Sequence, residues 1–253
     1  MPRSEFEAWQ RNVWALSIIV FTAFVGFQFF SLFLPLYVQE LGVTEPALVA
    51  VWSGVLLAVT PGVAGLLGPL WGGLADRVGR KLMMIRSLAG FVVIIAAMGL
   101  VTSVYQLLVA RLLQGVFADF SVMAMALASV SCPRDKVPVA IGRVQSAQLL
   151  SVAVGPAAGG YVASHFGIRY AFFGTAGLCV LSLIGLVVLF KEPRPRQSGE
   201  VAQKPPRLPF REVFRLPHFP LVLGLLVIAQ FIEAWVAAAL LLLVARDLLG
   251  RHA

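Results

Sequence analysis

Seven long runs of apolar residues divide the 253-residue chain, and each is long enough to cross a lipid bilayer. A helix needs about 20 predominantly apolar residues to span the hydrocarbon core. Hydrophobic residues make up 59% of the chain and charged residues 13%, a balance far from that of soluble domains. The sequence therefore predicts an all-α, polytopic transmembrane helix bundle. The predicted spans cover residues 13–38, 47–71, 82–101, 105–130, 144–164, 170–190 and 219–244.

Positively charged residues fall in alternate connecting segments, which indicates the orientation of the chain. Of the 20 Lys and Arg residues, 16 lie in segments 1–12, 72–86, 131–143 and 191–217. Cations in short loops are retained in the cytoplasm, so the N-terminus is expected to be cytoplasmic. The net charge of +8 is then explained by topology and by anionic lipid at the inner face of the membrane, and no nucleic-acid partner is expected.

Residues 191–217 interrupt the membrane pattern with six prolines and many charges. This composition is typical of a stiff, solvated linker. The predicted organisation is a six-helix transmembrane domain over residues 1–190, a cytoplasmic linker over 191–217, and a further helix in 218–253.

A short basic segment, GGLADRVGRK, joins the second and third runs. It resembles the loop signature of the major facilitator superfamily of transporters, Gly-x-x-x-Asp-Arg/Lys-x-Gly-Arg-Arg/Lys. Gly79 supplies the permissive backbone that a tight turn needs. The resemblance implies that Asp76 is a switch that contacts the opposite half of the transporter in one conformational state. A topology anchor is the alternative role. The matching residues of this gating loop are Gly72, Asp76, Arg77, Gly79, Arg80 and Lys81.

The fourth run carries a second resemblance to the same family. Arg111, Gln114 and Gly115 follow Leu107 in the pattern l-x-x-x-R-x-x-q-G. A charged side chain near the middle of a membrane helix costs about 2.5–3.5 kcal/mol on insertion scales, so it normally faces a partner or a polar cavity. Arg111 is thus expected to respond to protonation of a nearby carboxylate or to organise the substrate cavity. The alternative is that its side chain extends to the outer interface.

The fifth run carries a third resemblance, to the pattern g-x-x-x-G-P-x-x-G-G that is associated mainly with proton-coupled drug exporters. Ser151 stands where the pattern has its first glycine. Gly155 and Gly159 lie about one turn apart and allow a neighbouring helix to approach closely, either in a hinge or in static packing. The proline removes a backbone donor and is expected to bend the helix. The four matching residues are Gly155, Pro156, Gly159 and Gly160.

Acidic residues inside the predicted spans are candidates for proton coupling. Asp119 lies eight residues beyond Arg111, about 12 Å along a helix, so a direct ion pair between them is not expected. With no cation nearby on its own helix, Asp119 is expected to take up a proton readily, as a proton carrier must. The alternative is that Asp119 faces a water-filled cavity or has no role. Glu233, in the seventh run, is a second candidate.

Three glutamines are uncharged candidates for the wall of the transport cavity. Hydrogen bonding between helices explains them nearly as well. They are Gln28, Gln145 and Gln148.

Together with the spans around them, the three signatures cover residues 13–190, and they imply one half of a secondary active transporter. The implied function is proton-coupled export of small amphipathic compounds or drugs by alternating access, in a bacterial-type inner membrane. The alternatives are a major facilitator importer of a sugar or metabolite and a non-transporting fragment. Family members usually have twelve spans, so seven indicate a truncated chain that needs a C-terminal half.

Other classes of protein fit the sequence less well. There is no P-loop, serine-elbow or Cys/His metal motif, so no enzymatic activity, cofactor or metal is expected. A retinal protein needs a lysine in its seventh helix, and all four lysines lie in loops or at helix ends.

Reporter fusions test the predicted topology. A fusion after Phe190 should give a cytoplasmic signal, and a fusion after Gly250 an external one, because cations mark the inner segments. A cytoplasmic signal from a fusion at Ala253 would remove the seventh span.

Overall fold

The computed structural model describes residues 3–31 and 33–190, with side chains from Trp9 onward, and four isolated residues beyond, at 221, 224, 225 and 228. The chain divides into two compact units, Met1–Pro195 and Arg196–Ala253, of which the first is described below. A 3₁₀ turn at Arg134–Lys136 precedes the seventh helix. The α-helices are α1 (Arg3–Ser31), α2 (Leu34–Glu40), α3 (Pro46–Val78), α4 (Arg80–Met98), α5 (Val104–Val116), α6 (Phe120–Val130), α7 (Val137–Phe166) and α8 (Ile168–Val188).

The described part of the chain confirms an all-helical membrane architecture. Six of its helical segments are long and apolar enough to cross a membrane, and they match the first six predicted spans. The predicted linker and seventh span, residues 191–217 and 219–244, lie outside the described residues apart from the four isolated positions. The predicted domain limits therefore stay a prediction.

Two of the predicted spans are broken helices. The first consists of α1 and α2, and Pro35 lies in the first turn of α2, where its missing N–H needs no partner. The fourth consists of α5 and α6, separated by a turn at residues 117–119. Hydropathy does not show these breaks, because the residues on both sides are apolar.

Two helices extend further into the predicted loops than the sequence indicated. α3 continues to Val78, so most of the predicted gating loop is helical. α7 begins at Val137, seven residues before the predicted span. Several cations of the predicted inner segments therefore lie near the ends of helices, namely Arg3 and Arg11 in α1, Arg77 in α3, Arg80, Lys81 and Arg86 in α4, and Arg143 in α7. All 16 still fall within the four predicted inner segments, so the charge bias persists.

Polar contacts join neighbouring helices at each end of the bundle. At one end, Lys81 Nζ at the start of α4 donates to the carbonyl oxygen of Phe190 beyond α8, at 2.8 Å. At the other end, the Tyr37 hydroxyl donates to the carbonyl oxygen of Met98 at 2.7 Å. The second contact joins α2 to the end of α4, where Arg169 at the start of α8 also donates to the carbonyl oxygen of Val101 at 3.5 Å. The start of α4 thus meets the end of α8 and the end of α4 meets its start, so these third and sixth crossings are antiparallel neighbours.

Helix α1 packs along α7 and α8. The Thr175 hydroxyl of α8 donates to the carbonyl oxygen of Gly26 at 2.7 Å, and Ser182 donates to that of Ile19 at 3.2 Å. Inside a membrane such hydroxyls bind backbone carbonyls because no water competes for them. They fix α1 against α8 at two levels.

The glycines of the fifth span let α7 approach the backbone of α1. A Cβ on Gly155 would lie 2.9 Å from the carbonyl oxygen of Val25 and would overlap Gln28. A Cβ on Gly159 would lie 2.6 Å from Phe29 Cα. Side chains at these positions have no room, so the signature serves direct helix packing within this unit. α7 remains one helix through Pro156.

Replacing Gly159 by alanine should therefore destabilise the protein more than replacing Gly160. A Cβ on Gly160 would meet only the Phe33 ring, at 3.5 Å, which is ordinary van der Waals contact. Overpacking costs about 1–3 kcal/mol, whereas the gain in helix propensity is the same at both sites. Thermal unfolding of the purified variants in detergent measures the difference. Equal melting temperatures would contradict the close approach of α7 to α1.

Candidate functional site

Asp119 forms a buried ion pair with an arginine from another helix. The Arg86 Nη2 atom of α4 lies 2.8 Å from Asp119 Oδ1, and the Asp119 side chain is 5% exposed. The Ser87 hydroxyl donates to the same carboxylate oxygen. The expectation that Asp119 has no adjacent cation was therefore wrong. That expectation considered only cations on the same helix, whereas the partner belongs to α4.

Two aromatic rings lie close to the guanidinium group of Arg86. Its central carbon lies 3.7 Å from the ring centroid of Trp71 and 5.2 Å from that of Phe117. Aromatic faces attract cations, and more strongly where water is excluded. Trp71 belongs to α3 and Phe117 to the turn between α5 and α6, so the arginine connects three segments of the bundle.

The pair keeps unused hydrogen-bonding capacity. Among the described residues, neither Asp119 Oδ2 nor Arg86 Nε has a hydrogen-bond partner, and both atoms are buried. Unpaired buried polar atoms are costly and are concentrated at functional sites. The free carboxylate oxygen is a place where a proton or a further donor can bind. We call Arg86, Ser87 and Asp119 the charge cluster.

The backbone places Asp119 at the break of the fourth span. Asp119 is the residue before α6, yet its side chain does not cap that helix. The carboxylate instead binds across to α4. Sequence reasoning missed Arg86 and Ser87, although a cation at the fifth residue of the predicted span 82–101 was the available signal.

The Arg111 side chain is buried within the helix bundle. It is 5% exposed, and its Nη1 atom donates to Gln114 Oε1 at 3.1 Å. Its central guanidinium carbon lies 4.9 Å from the ring centroid of Phe30 in α1. The side chain does not extend toward the loop at residues 99–103, because its partner Gln114 lies further along α5, away from that loop. Within the described residues Arg111 forms no ion pair, with Asp119 or otherwise, and its Nε and Nη2 atoms lack partners.

Gly115 explains the close packing of α5 on α3. A Cβ on Gly115 would lie 2.6 Å from Val63 Cβ and 2.8 Å from the carbonyl oxygen of Thr60. The Thr60 hydroxyl in turn donates to the carbonyl oxygen of Arg111 at 3.1 Å. The second signature thus positions Arg111 by holding its helix against α3.

The predicted gating loop is a junction between two helices with a single residue between them. Gly79 has φ +99°, a conformation that L side chains rarely adopt. Arg80 donates to the carbonyl oxygen of Ala126 at 3.2 Å and lies 3.9 Å from Asp76 Oδ1. The Asp76 side chain is 58% exposed, so it remains available to another partner. Gly72 and Arg77 lie in the last two turns of α3.

The remaining predicted residues are dispersed. Gln28 lies against Gly155, and Gln148 Nε2 lies 3.4 Å from the Ser121 hydroxyl, which is a contact between helices. Gln145 is exposed on α7. Glu233 lies outside the described residues. The structure thus brings together Arg111, Gln114 and Gly115, whereas Asp119 belongs to a separate cluster.

Comparison with known proteins agrees with this architecture. A family model described as "Major Facilitator Superfamily" matches residues 16–250. The chain belongs to the major facilitator superfamily. It is an integral membrane protein of a family of transporters. The three signatures and the six membrane-spanning segments described in the first unit are therefore those of a major facilitator half.

Curated relatives are bacterial multidrug resistance proteins. The chain is 35% identical over 245 residues to the "Multidrug resistance protein MdtG" of Escherichia fergusonii, covering 96% of this chain and 59% of the relative. It is 35% identical to the protein of that name from Klebsiella pneumoniae, of which it covers 58%. The chain thus spans somewhat more than half the length of these relatives.

A solved structure shows the same fold. The human organic anion transporter MFSD10 matches with a TM-score of 0.64 at 17% identity, over 76% of this chain and 49% of that chain. At this identity the likeness concerns the fold alone. The 49% coverage of that chain agrees with one half of a major facilitator protein.

A double-mutant cycle tests the charge cluster. Replacing Arg86 by glutamine or Asp119 by asparagine leaves an unpaired buried charge, which costs about 3–5 kcal/mol. The double variant should be more stable than the sum of the two losses predicts, with a coupling energy of about 0.5–3 kcal/mol. Unfolding of detergent-purified variants measures it.

The exposed pair of Asp76 and Arg80 is the matched control for that cycle. Its atoms are 3.9 Å apart and both side chains are partly solvated, so about 0.2–1 kcal/mol is expected. A coupling between Arg86 and Asp119 no larger than that of the control pair would show that the buried pair is not an energetic unit.

Proposed function

We propose that this chain forms the N-terminal part of a proton-coupled exporter of small amphipathic compounds. The similarity to multidrug resistance proteins carries this proposal, since 96% of the chain aligns with them. The third signature, with the glycines that pack α7 on α1, supports the drug-exporting branch. The proposed location of the protein is an inner membrane of bacterial type, with the N-terminus in the cytoplasm.

We propose that the charge cluster couples transport to protons through the ion pair itself, and not through the absence of a cation that the sequence suggested. An ionised Asp119 holds Arg86 against Trp71 and Phe117, which joins α3, α4 and the break between α5 and α6. A proton on Asp119 removes the negative charge and weakens this connection. Proton uptake then favours a second arrangement of these helices, as a coupled transporter requires.

The exposed carboxylate of Asp76 supports a switch at the helix junction. It lies beside the turn at Gly79 and has only a loose ion pair with Arg80. In the complete transporter it would contact a helix N-terminus of the second half in one state and not in the other. The domains proposed for this arrangement are residues 1–190, the linker 191–217 and residues 218–253 as the start of that half.

Co-expression tests the proposed function. The chain is produced together with the part of the Escherichia fergusonii multidrug relative that lies beyond the aligned segment, since the chain covers 59% of that relative. Drug resistance and efflux are expected from the pair and not from either part alone. Uptake without resistance would favour an importer, and an assembled pair that moves no compound would favour a non-transporting protein.

Replacing Asp76 by asparagine should weaken transport by the pair about two- to fivefold with little effect on expression. A carboxylate at a helix N-terminus stabilises one state by about 0.3–1 kcal/mol, and this preference is lost in the variant. Initial efflux rates, normalised to protein in the membrane, measure the effect. Asp135→Asn is the control, because Asp135 is an exposed acid in the next inner segment. Equal rates for the two variants would leave the junction as a topology anchor only.

Efflux by the pair should increase with external acidity, and Asp119→Asn should remove this dependence while substrate binding remains measurable. The reason is that asparagine carries no titratable proton at the position paired with Arg86. Arg111→Ala should also reduce transport but keep its pH dependence, since Arg111 lies outside the charge cluster. A pH profile unchanged in Asp119→Asn would falsify the carrier role and direct attention to Glu233.

A further inference from the structure

A groove of about 540 Å³ runs between α1 and α7, away from the charge cluster and from Arg111. Its walls are mainly apolar, and its size lies in the range of small-molecule and lipid-binding cavities. The walls include Trp14, Ile18 and Phe21 of α1, and Arg143, Ala147 and Leu150 of α7.

Arg143 gives this apolar groove one positive charge. Its central guanidinium carbon lies 5.4 Å from the ring centroid of Trp14 and 5.8 Å from that of Trp9. The Nη1 atom is buried and has no hydrogen-bond partner among the described residues. Nor does Arg143 form an ion pair within 4.0 Å in the described part of the chain. Among the described residues, the groove therefore holds a cation without an anionic partner.

The position of Arg143 along α7 matches the headgroup region of a membrane. It lies six residues after Val137, the first residue of α7, or about 9 Å along the helix axis. The cations of the 3₁₀ turn, Arg134 and Lys136, lie just before it. Tryptophans are typical of this interfacial depth. Ile18, Phe21 and Leu150 follow further into the bundle, where acyl chains lie.

We propose that the groove between α1 and α7 binds an anionic phospholipid of the adjacent leaflet, with its phosphate or headgroup on Arg143 and an acyl chain along Ile18, Phe21 and Leu150. Charge complementarity identifies the occupant, because a zwitterionic lipid brings its own cation to the arginine. The walls are open to the side, since Ile18 and Leu150 are each 57% exposed. With the N-terminus in the cytoplasm, the leaflet is the inner one.

Native mass spectrometry of the purified 253-residue chain tests this site. The chain is extracted from a mixture of equal parts phosphatidylglycerol and phosphatidylcholine, and the retained lipids are counted. Phosphatidylglycerol should be retained about fivefold more, as expected from about 1 kcal/mol for one basic residue at RT of about 0.59 kcal/mol. Equal retention of the two lipids by the unaltered chain would overturn the proposal.

Charge variants locate the preference. Arg143→Gln should abolish it, and Arg143→Lys should keep part of it. Arg134→Gln removes the same charge from an exposed position of the same inner segment and should leave the preference unchanged. An equal loss in both glutamine variants would assign the preference to general surface charge and refute the site.

A steric variant tests the groove without altering charge. Gly142 lines the groove, and a Cβ there would meet no atom within 4 Å, so Gly142→Leu adds an apolar side chain to the groove wall from an unobstructed Cβ. It should reduce phosphatidylglycerol retention, whereas Gly62→Leu, at an equally open glycine of α3, should not. The comparison of Gly142→Leu with Gly62→Leu tests lipid binding in the groove even where Arg143→Gln fails to fold. Unchanged retention in Gly142→Leu would overturn the proposal.

Discussion

Hydrocarbon offers no hydrogen-bond partners, so each polar group within the bundle must find its partner in the protein. Arg86 and Asp119 meet this constraint with an ion pair between α4 and the break in the fourth span. The hydroxyls of Thr175 and Ser182 meet it by donating to carbonyls of α1. These contacts fix the rotation of each helix about its axis, which apolar packing alone specifies only loosely. The order of the bundle depends on them.

Small residues allow the same helices to approach closely enough for such contacts. Gly155 and Gly159 bring α7 onto the backbone of α1, and Gly115 brings α5 onto α3. In each case a Cβ would overlap neighbouring atoms. Association in lipid depends on van der Waals packing because apolar side chains gain little by leaving lipid tails. The signatures of the family are therefore partly rules of packing, and the buried arginine of the fourth span owes its position to one of them.

The charge cluster and the helix junction occupy different parts of the described unit and have different exposure. Asp119 is buried and contacts Arg86 and Ser87, with the two aromatic rings close to Arg86, whereas Asp76 is largely exposed beside Gly79. A buried acid suits the binding of a single proton. An exposed acid suits a contact with another helix that forms in one conformational state and breaks in the other. This division is consistent with the proposed roles in coupling and in switching. Arg143 adds a third charged position, on the outer side of α1 and α7.

Sequence by itself determined the membrane class, the six spans of the first unit and the family, because hydropathy and the three signatures are local properties of the chain. It also determined the turn at Gly79, whose φ of +99° the glycine permits. Only the tertiary structure decided that Arg86 is the partner of Asp119, that α3 continues through most of the signature, and that the fourth span breaks at residues 117–119. Residues 33 positions apart are brought together by the rotation and packing of two helices. Local properties such as hydropathy, which are summed over residues adjacent in the sequence, do not contain that information.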